Sequence, residues 1–119
     1  MEKKQISIDG AELYGPYSPG VEANGIIWLA GQISPEGDIS MQTKGALEKV
    51  NLLLNMADLT KENVVMVTVL LSDINDFQKM NDTYSQYFGD CKIKPARAAF
   101  EAAALPRGAK VEIVVQAVR

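Results

Sequence analysis

An α+β domain, with two helices laid on one face of a largely β scaffold, is the fold class this sequence predicts. Three observations carry that expectation. Apolar residues recur at three- and four-residue steps in two stretches, which is the period of an amphipathic helix. The other apolar segments are short, rich in β-branched residues and bounded by glycine, proline and asparagine, as strands are. The chain has 119 residues, 47% of them hydrophobic, which suits one domain spanning residues 1–119.

The elements follow in order. "GPYSPG", Gly15 to Gly20, reads as an ordered loop because it combines two prolines and two glycines. Asn24-Gly25 is a tight-turn dipeptide and predicts a hairpin with strands near residues 17–23 and 26–31. "SPEGD" is a further turn. From Ser40, a candidate N-cap, the period changes. Ala46, Leu47, Val50, Leu53, Leu54 and Ala57 form the apolar stripe of the first helix. "VVMVTVLL", Val64 to Leu71, is apolar on both faces except at Thr68 and predicts a strand covered on both sides. Asn75, with Gln78 three residues on, has the spacing of a capping box for the second helix. Phe77, Met80, Tyr84 and either Tyr87 or Phe88 would be its buried stripe. "ARAAFEA" and "KVEIVVQAV" read as two final strands joined by the turn "LPRGAK". The order is ββ, α, β, α, ββ. Two helices can cover one face of such a sheet, so the apolar second face predicts oligomerisation through the sheet.

Composition excludes several function classes. The net charge is −3, which argues against a general binder of nucleic-acid phosphates. No apolar run reaches the ~18 residues of a membrane span, and "MEKKQISIDG" lacks the apolar core of a signal peptide, so the expected location is the cytosol, away from membranes. Cys91 is the only cysteine and there is no histidine. An intrachain disulfide, a Ser-His-Asp triad, a Cys-His pair and a His-ligated metal site are therefore all unavailable. Acid–base chemistry falls to carboxylates, lysines, tyrosines or bound water.

Against that background three charges stand out, because they lie in strands otherwise built for a core. Alternation puts Arg97, Ala99 and Glu101 on one face of their strand. Glu112, Val114 and Gln116 share a face opposite Val111, Ile113 and Val115. Removing an unpaired ion from water costs several kcal/mol. Arg97 and Glu112 are therefore exposed, salt-bridged (Arg97 with Glu112 or with Glu101), or lining a polar pocket. In a pocket, Arg97 would grip a carboxylate with two parallel hydrogen bonds, and Glu112 would orient a water or accept its proton. Glu101, nearer the turn, reads as a solvated glutamate.

These residues sit inside a longer pattern. "GPYSPG", "WLAGQIS", "VTVLLSDINDFQKMNDTYSQYFGD" and "KPARAAFEAAALPRGAKVEI" follow in order, most specifically "PAR" ahead of "LPRGAKVEI". Through them nearly the whole chain resembles the reactive intermediate deaminase family, the Rid or YjgF proteins, also described as perchloric-acid-soluble translation inhibitors. The resemblance implies a chorismate-mutase-like (YjgF-like) α+β fold assembled as a homotrimer. Three sheets would build a barrel-like core, with helices outside and three clefts between subunits. It further implies hydrolysis of reactive enamines and imines (2-aminoacrylate, 2-iminopropanoate, 2-iminobutanoate) to 2-keto acids and ammonia, with no cofactor and no metal. Carried over position by position, Arg97 matches the arginine that grips the substrate carboxylate. Glu112 matches the glutamate that positions the attacking water. Tyr17 matches an aromatic of the cleft wall, Asn81 an asparagine close to the ligand, and Gly31 a glycine whose backbone borders the site.

Two positions depart from the family pattern. Ala30 stands where a serine often precedes "GQ", and Ala99 stands where a cysteine often follows the arginine by two residues. A role played by the backbone carbonyl at Ala99, accepting from the imine N–H, survives that change. Three other readings stay open at this level: a non-enzymatic module that binds a small 2-keto acid, an RNA-cleaving translation inhibitor, and a chaperone-like surface protein.

Overall fold

The computed structural model describes residues 2–11 and 13–119. Strands β1 (Lys4–Ile6), β2 (Gly20–Ala23) and β3 (Ile26–Gln32) are followed by helix α1 (Ile39–Met56), strand β4 (Val64–Leu71) and helix α2 (Phe77–Phe88). Strands β5 (Ala96–Glu101) and β6 (Val111–Val118) complete the chain. The six strands form one mixed sheet in the order β1-β2-β3-β6-β4-β5. The predicted hairpin is β2–β3. Asn24 and Gly25 both have positive φ, 51° and 76°, the backbone that a two-residue turn matched to strand twist requires. β6 lies between β3 and β4 and is antiparallel to both, so β3 and β4 run parallel and α1 is their crossover. α2 crosses from β4 to its parallel neighbour β5.

The structure corrects the sequence reading at the element ends. β1 was not among the predicted strands, and β2 begins at Gly20 rather than near residue 17. α1 is capped by Asp38, whose Oδ1 accepts from the Met41 N–H at 2.9 Å, so Ser40 lies inside the first turn. Asn75 caps nothing. It belongs to a three-residue 3₁₀ turn, Ile74–Asp76, that runs straight into α2. Asp73 and Glu101 accept the first N–H groups of that turn, from Asn75 at 2.9 Å and Ile74 at 2.8 Å. Orphan donors at a helix start are satisfied by whichever acceptor folding brings near. Glu101 came from a distant strand, which capping rules cannot foresee.

Both helices cover the same face of the sheet. Ile27, Leu29, Val67, Val69, Leu71, Val111, Ile113, Val115 and Ala117 point to it, and none is more than 3% exposed. They pack against Ala46, Leu47, Val50, Leu53 and Leu54 of α1 and against Met80, Tyr84 and Phe88 of α2. Each buried Val, Leu, Ile, Met or Phe among them contributes about 1.5–3 kcal/mol of burial free energy. The other face is open. Ile26, Trp28, Val65 and Phe100 are each 40–50% exposed on the single chain. Among the described residues no helix is long and apolar enough to cross a membrane.

Candidate functional site

β5 is the last strand of the sheet, so one of its edges is unpaired. Arg97 is in register with Val67 and therefore points to the helix face. There it meets α2. Its Nη1 donates to Asn81 Oδ1 at 2.7 Å, and its Cζ lies 4.6 Å from the Tyr84 ring centroid and 5.5 Å from that of Phe77. Two aromatic faces within cation–π range hold the guanidinium in place. It remains exposed, and no carboxylate pairs with it among the described residues, where the ion pairs are Lys61–Asp90 and Arg119–Glu22. The pairings with Glu112 and Glu101 allowed by the sequence do not form. Arg119 shows the alternative fate: it donates to both oxygens of Glu22 at 2.8 Å, and those bonds hold the Glu22 carboxyl below the usual carboxylate range. Apart from the bond to Asn81, the guanidinium donors of Arg97 have no hydrogen-bond or ion-pair partner among the described residues. With Asn81, Tyr84 and Lys94 it lines an open pocket of about 390 Å³. Ala99, two residues on, shares the face of Arg97 and packs half-buried against the core.

Tyr84 is the residue under Arg97 that sequence reasoning assigned only to the core. Its ring is 8% exposed, and its hydroxyl is buried with no hydrogen-bond partner. Burial pushes the phenol up to about 12, with the Arg97 charge pulling partly the other way. The spacing held a signal. Phe77, Asn81 and Tyr84 stand at steps of four and three, so they share one face of α2, and an asparagine amid that aromatic face marks where a polar partner arrives. Cys91, 4% exposed and with its thiol pushed up by burial, is inert packing.

Glu112 belongs to a different place. It is in register with Leu70 and points away from the helices. At this end of the sheet β3 bulges: Leu29 pairs with Val115 but Gln32 with Ile113, so β3 carries one extra residue. Gly31 sits in the bulge. A Cβ on Gly31 would lie 2.8 Å from the Glu112 Cδ and collide with its Oε2. The glycine therefore serves more than backbone bending: its missing side chain is the space the carboxylate occupies. That carboxylate has no ion-pair or hydrogen-bond partner among the described residues. It opens into a cleft of about 670 Å³ whose walls include Tyr17, Ala30, Gly31, Lys49, Leu52 and Arg107. Tyr17, one of those walls, is 47% exposed.

The predicted site residues thus fall into two groups. Tyr17, Gly31 and Glu112 meet in one cleft; Asn81, Arg97 and Ala99 lie together on the far edge. Glu112 and the β6 partner of Arg97's register, Val115, are three residues apart, and β5 is two strands from β6. At about 3.4 Å per residue and 4.8 Å per strand, the Cα atoms are about 14 Å apart, with side chains on opposite faces. Within one chain no small acid reaches both. Among the described residues no group of side chains is arranged to hold a metal ion.

Comparison with known proteins gives a consistent result. The Endoribonuclease L-PSP family model matches residues 9–119. A RutC family protein of Pyrococcus abyssi is 44% identical over 107 residues, covering 83% of each chain. The 2-iminobutanoate/2-iminopropanoate deaminase of Bos taurus is 42% identical over 113 residues, covering 88% of this chain and 81% of its own. Among solved structures, the Rid family protein YyfA of Yersinia pestis superposes with a TM-score of 0.93 at 37% identity, over 99% of this chain and all of its own. E. coli TdcF with bound serine superposes with a TM-score of 0.90 at 31% identity, over 98% of each.

Proposed function

The chain belongs to the reactive intermediate deaminase (Rid/YjgF) family, and on that premise we propose that it is a cytosolic homotrimer that hydrolyses reactive enamines and imines of small amino acids to 2-keto acids and ammonia. The observation that carries this reading is the separation of Arg97 from Glu112. Each is an uncompensated charge beside an open pocket, and only a second copy brings a carboxylate grip next to a proton acceptor. Packing of the open sheet face, with Trp28 and Phe100 exposed on it, supplies the reason for copies to associate. The site is then the seam between Arg97, Asn81 and Ala99 of one subunit and Tyr17, Gly31 and Glu112 of the next.

In that seam Arg97 binds the substrate carboxylate with two charge-assisted hydrogen bonds. Tautomerisation of an enamine to its imine presents an electrophilic C=N carbon, which asks no cofactor for activation. Water adds to that carbon and gives a proton to Glu112. The Ala99 carbonyl accepts from the imine N–H. The nitrogen of the tetrahedral adduct takes two protons, the one held by Glu112 and the one the hydroxyl loses, and the C–N bond breaks with its electron pair leaving on ammonia as the C=O of the keto acid forms. Imine and water become keto acid and ammonia with no net proton change. Positioning supplies much of the rate, because free imines already hydrolyse in water. The family model's name points instead to RNA cleavage. The net charge of −3 and the absence of histidine weigh against that reading.

Complementation between subunits tests this. Arg97→Ala and Glu112→Gln homomers are each expected to be nearly inactive on 2-iminopropanoate. Mixed in equal amounts, they should recover about a quarter of wild-type activity, because one seam in four then joins two intact halves. Co-assembly without recovery would exclude the shared site, and an Arg97→Ala homomer with the wild-type rate would exclude the role of Arg97.

A further inference from the structure

The cleft around Glu112 carries more positive charge than a small monocarboxylate requires. Its charged walls among the described residues are Glu112, Lys49 and Arg107, in a chain whose net charge is −3. Arg107 is held in an unusual way. Its φ is 57°, left-handed backbone that costs an ordinary L-residue about 1–2 kcal/mol. Glycine follows it in the turn, also at positive φ, so a second glycine or an asparagine would fit position 107 more easily. The side chain is ordered as well as the backbone. The guanidinium lies 5.1 Å from the Tyr14 ring centroid and donates from Nη1 to the Tyr14 hydroxyl at 3.0 Å. Neither ion pair of the described residues involves it. A strained backbone that presents an oriented cation into a cleft indicates a ligand for that cation. Lys49 adds to the charge, with its Nζ fixed on the Ile33 carbonyl at 2.7 Å. The cleft, about 670 Å³, has the size that holds drug-sized ligands and exceeds what a three-carbon acid fills.

We propose that Arg107 is a specificity-determining residue that reads the far end of the substrate, and that the cleft is matched to 2-imino acids whose side chain ends in a second carboxylate. The first carboxylate goes to Arg97 across the seam; the second goes to Arg107, with Lys49 nearby. This rests on the reading of Glu112 as the proton acceptor of the same cleft.

The test compares wild type with Arg107→Asn, which tolerates the left-handed backbone, and with Arg107→Gly, which relieves it. Calorimetric titration with 2-ketobutyrate and 2-ketoglutarate reads binding. The decay of 2-iminopropanoate and 2-iminoglutarate, generated by an amino-acid oxidase, reads turnover. Wild type should bind 2-ketoglutarate about tenfold more tightly than 2-ketobutyrate, and both variants should bring that ratio, and the kcat/KM ratio of the two imines, close to one. Wild type without the preference, wild type binding neither acid, or variants that keep the ratio would each overturn the proposal. Failure of the deaminase reading looks different: neither imine decays faster, while the binding preference and its loss on substitution remain.

Discussion

Arg97 and Glu112 are both charges set into strands of one sheet, and they are kept available in opposite ways. Arg97 lies on an edge strand and points to the helix face, where a core residue would be expected. It is held by added mass, with the rings of Tyr84 and Phe77 beneath it and the Asn81 amide alongside. Glu112 lies on a strand inside the sheet and points to the open face. It is held by subtracted mass, because the bulge at Gly31 leaves a gap of side-chain size for its carboxylate. A cation with a delocalised planar head can be stacked. A carboxylate has no comparable face and is placed by making room for it.

That contrast predicts a graded series. Glu112→Gln removes the proton acceptor while keeping the shape, and kcat for 2-iminopropanoate should fall about 10³-fold in stopped-flow assays. Retention of the wild-type kcat would show that the gap at Gly31 holds a bystander. Arg97→Ala should lower kcat/KM about 10²-fold and make the rate linear in substrate, with the far-ultraviolet spectrum unchanged. Gly31→Ala drives a methyl into the Glu112 carboxylate, so kcat should drop about 30-fold and the urea midpoint should show about 1–3 kcal/mol of overpacking. Activity equal to wild type would mean the carboxylate moves aside at no cost to the chemistry.

The smallest effects belong to the stacked half. Tyr84→Leu removes a ring under Arg97 and should raise KM about fivefold with little change in kcat. Tyr84→Phe keeps the ring and should restore KM. It also deletes a buried hydroxyl that has no partner, so it should stabilise the fold by about 1 kcal/mol, read as a rise in Tm. A Phe variant that loses substrate affinity would show that the hydroxyl, rather than the ring, serves the site.

How much of this was legible beforehand differs from residue to residue. The helices, the Asn24-Gly25 hairpin and the one-sided packing of β6 follow from local periods and local turn chemistry. The caps do not follow: Asp38 and Ser40 are both good capping residues two positions apart, and Glu101 reaches Ile74 from a strand distant in sequence. Arg107 and Tyr14 carried no periodic signal, because a left-handed turn residue looks like any other loop arginine until its φ is known.

Alternation along a strand is set by covalent geometry, so the chain by itself determined that Glu112 opposes Val111 and Ile113 and that Arg97 shares a face with Ala99. Which face that is, and which end of the sheet, depends on the register of β5 and β6 against β4, and a shift of one residue would reverse the face. Pairing between distant segments is chosen by how the apolar faces bury together. Only the tertiary structure could therefore place Arg97 under α2 and Glu112 over Gly31, with the sheet between them.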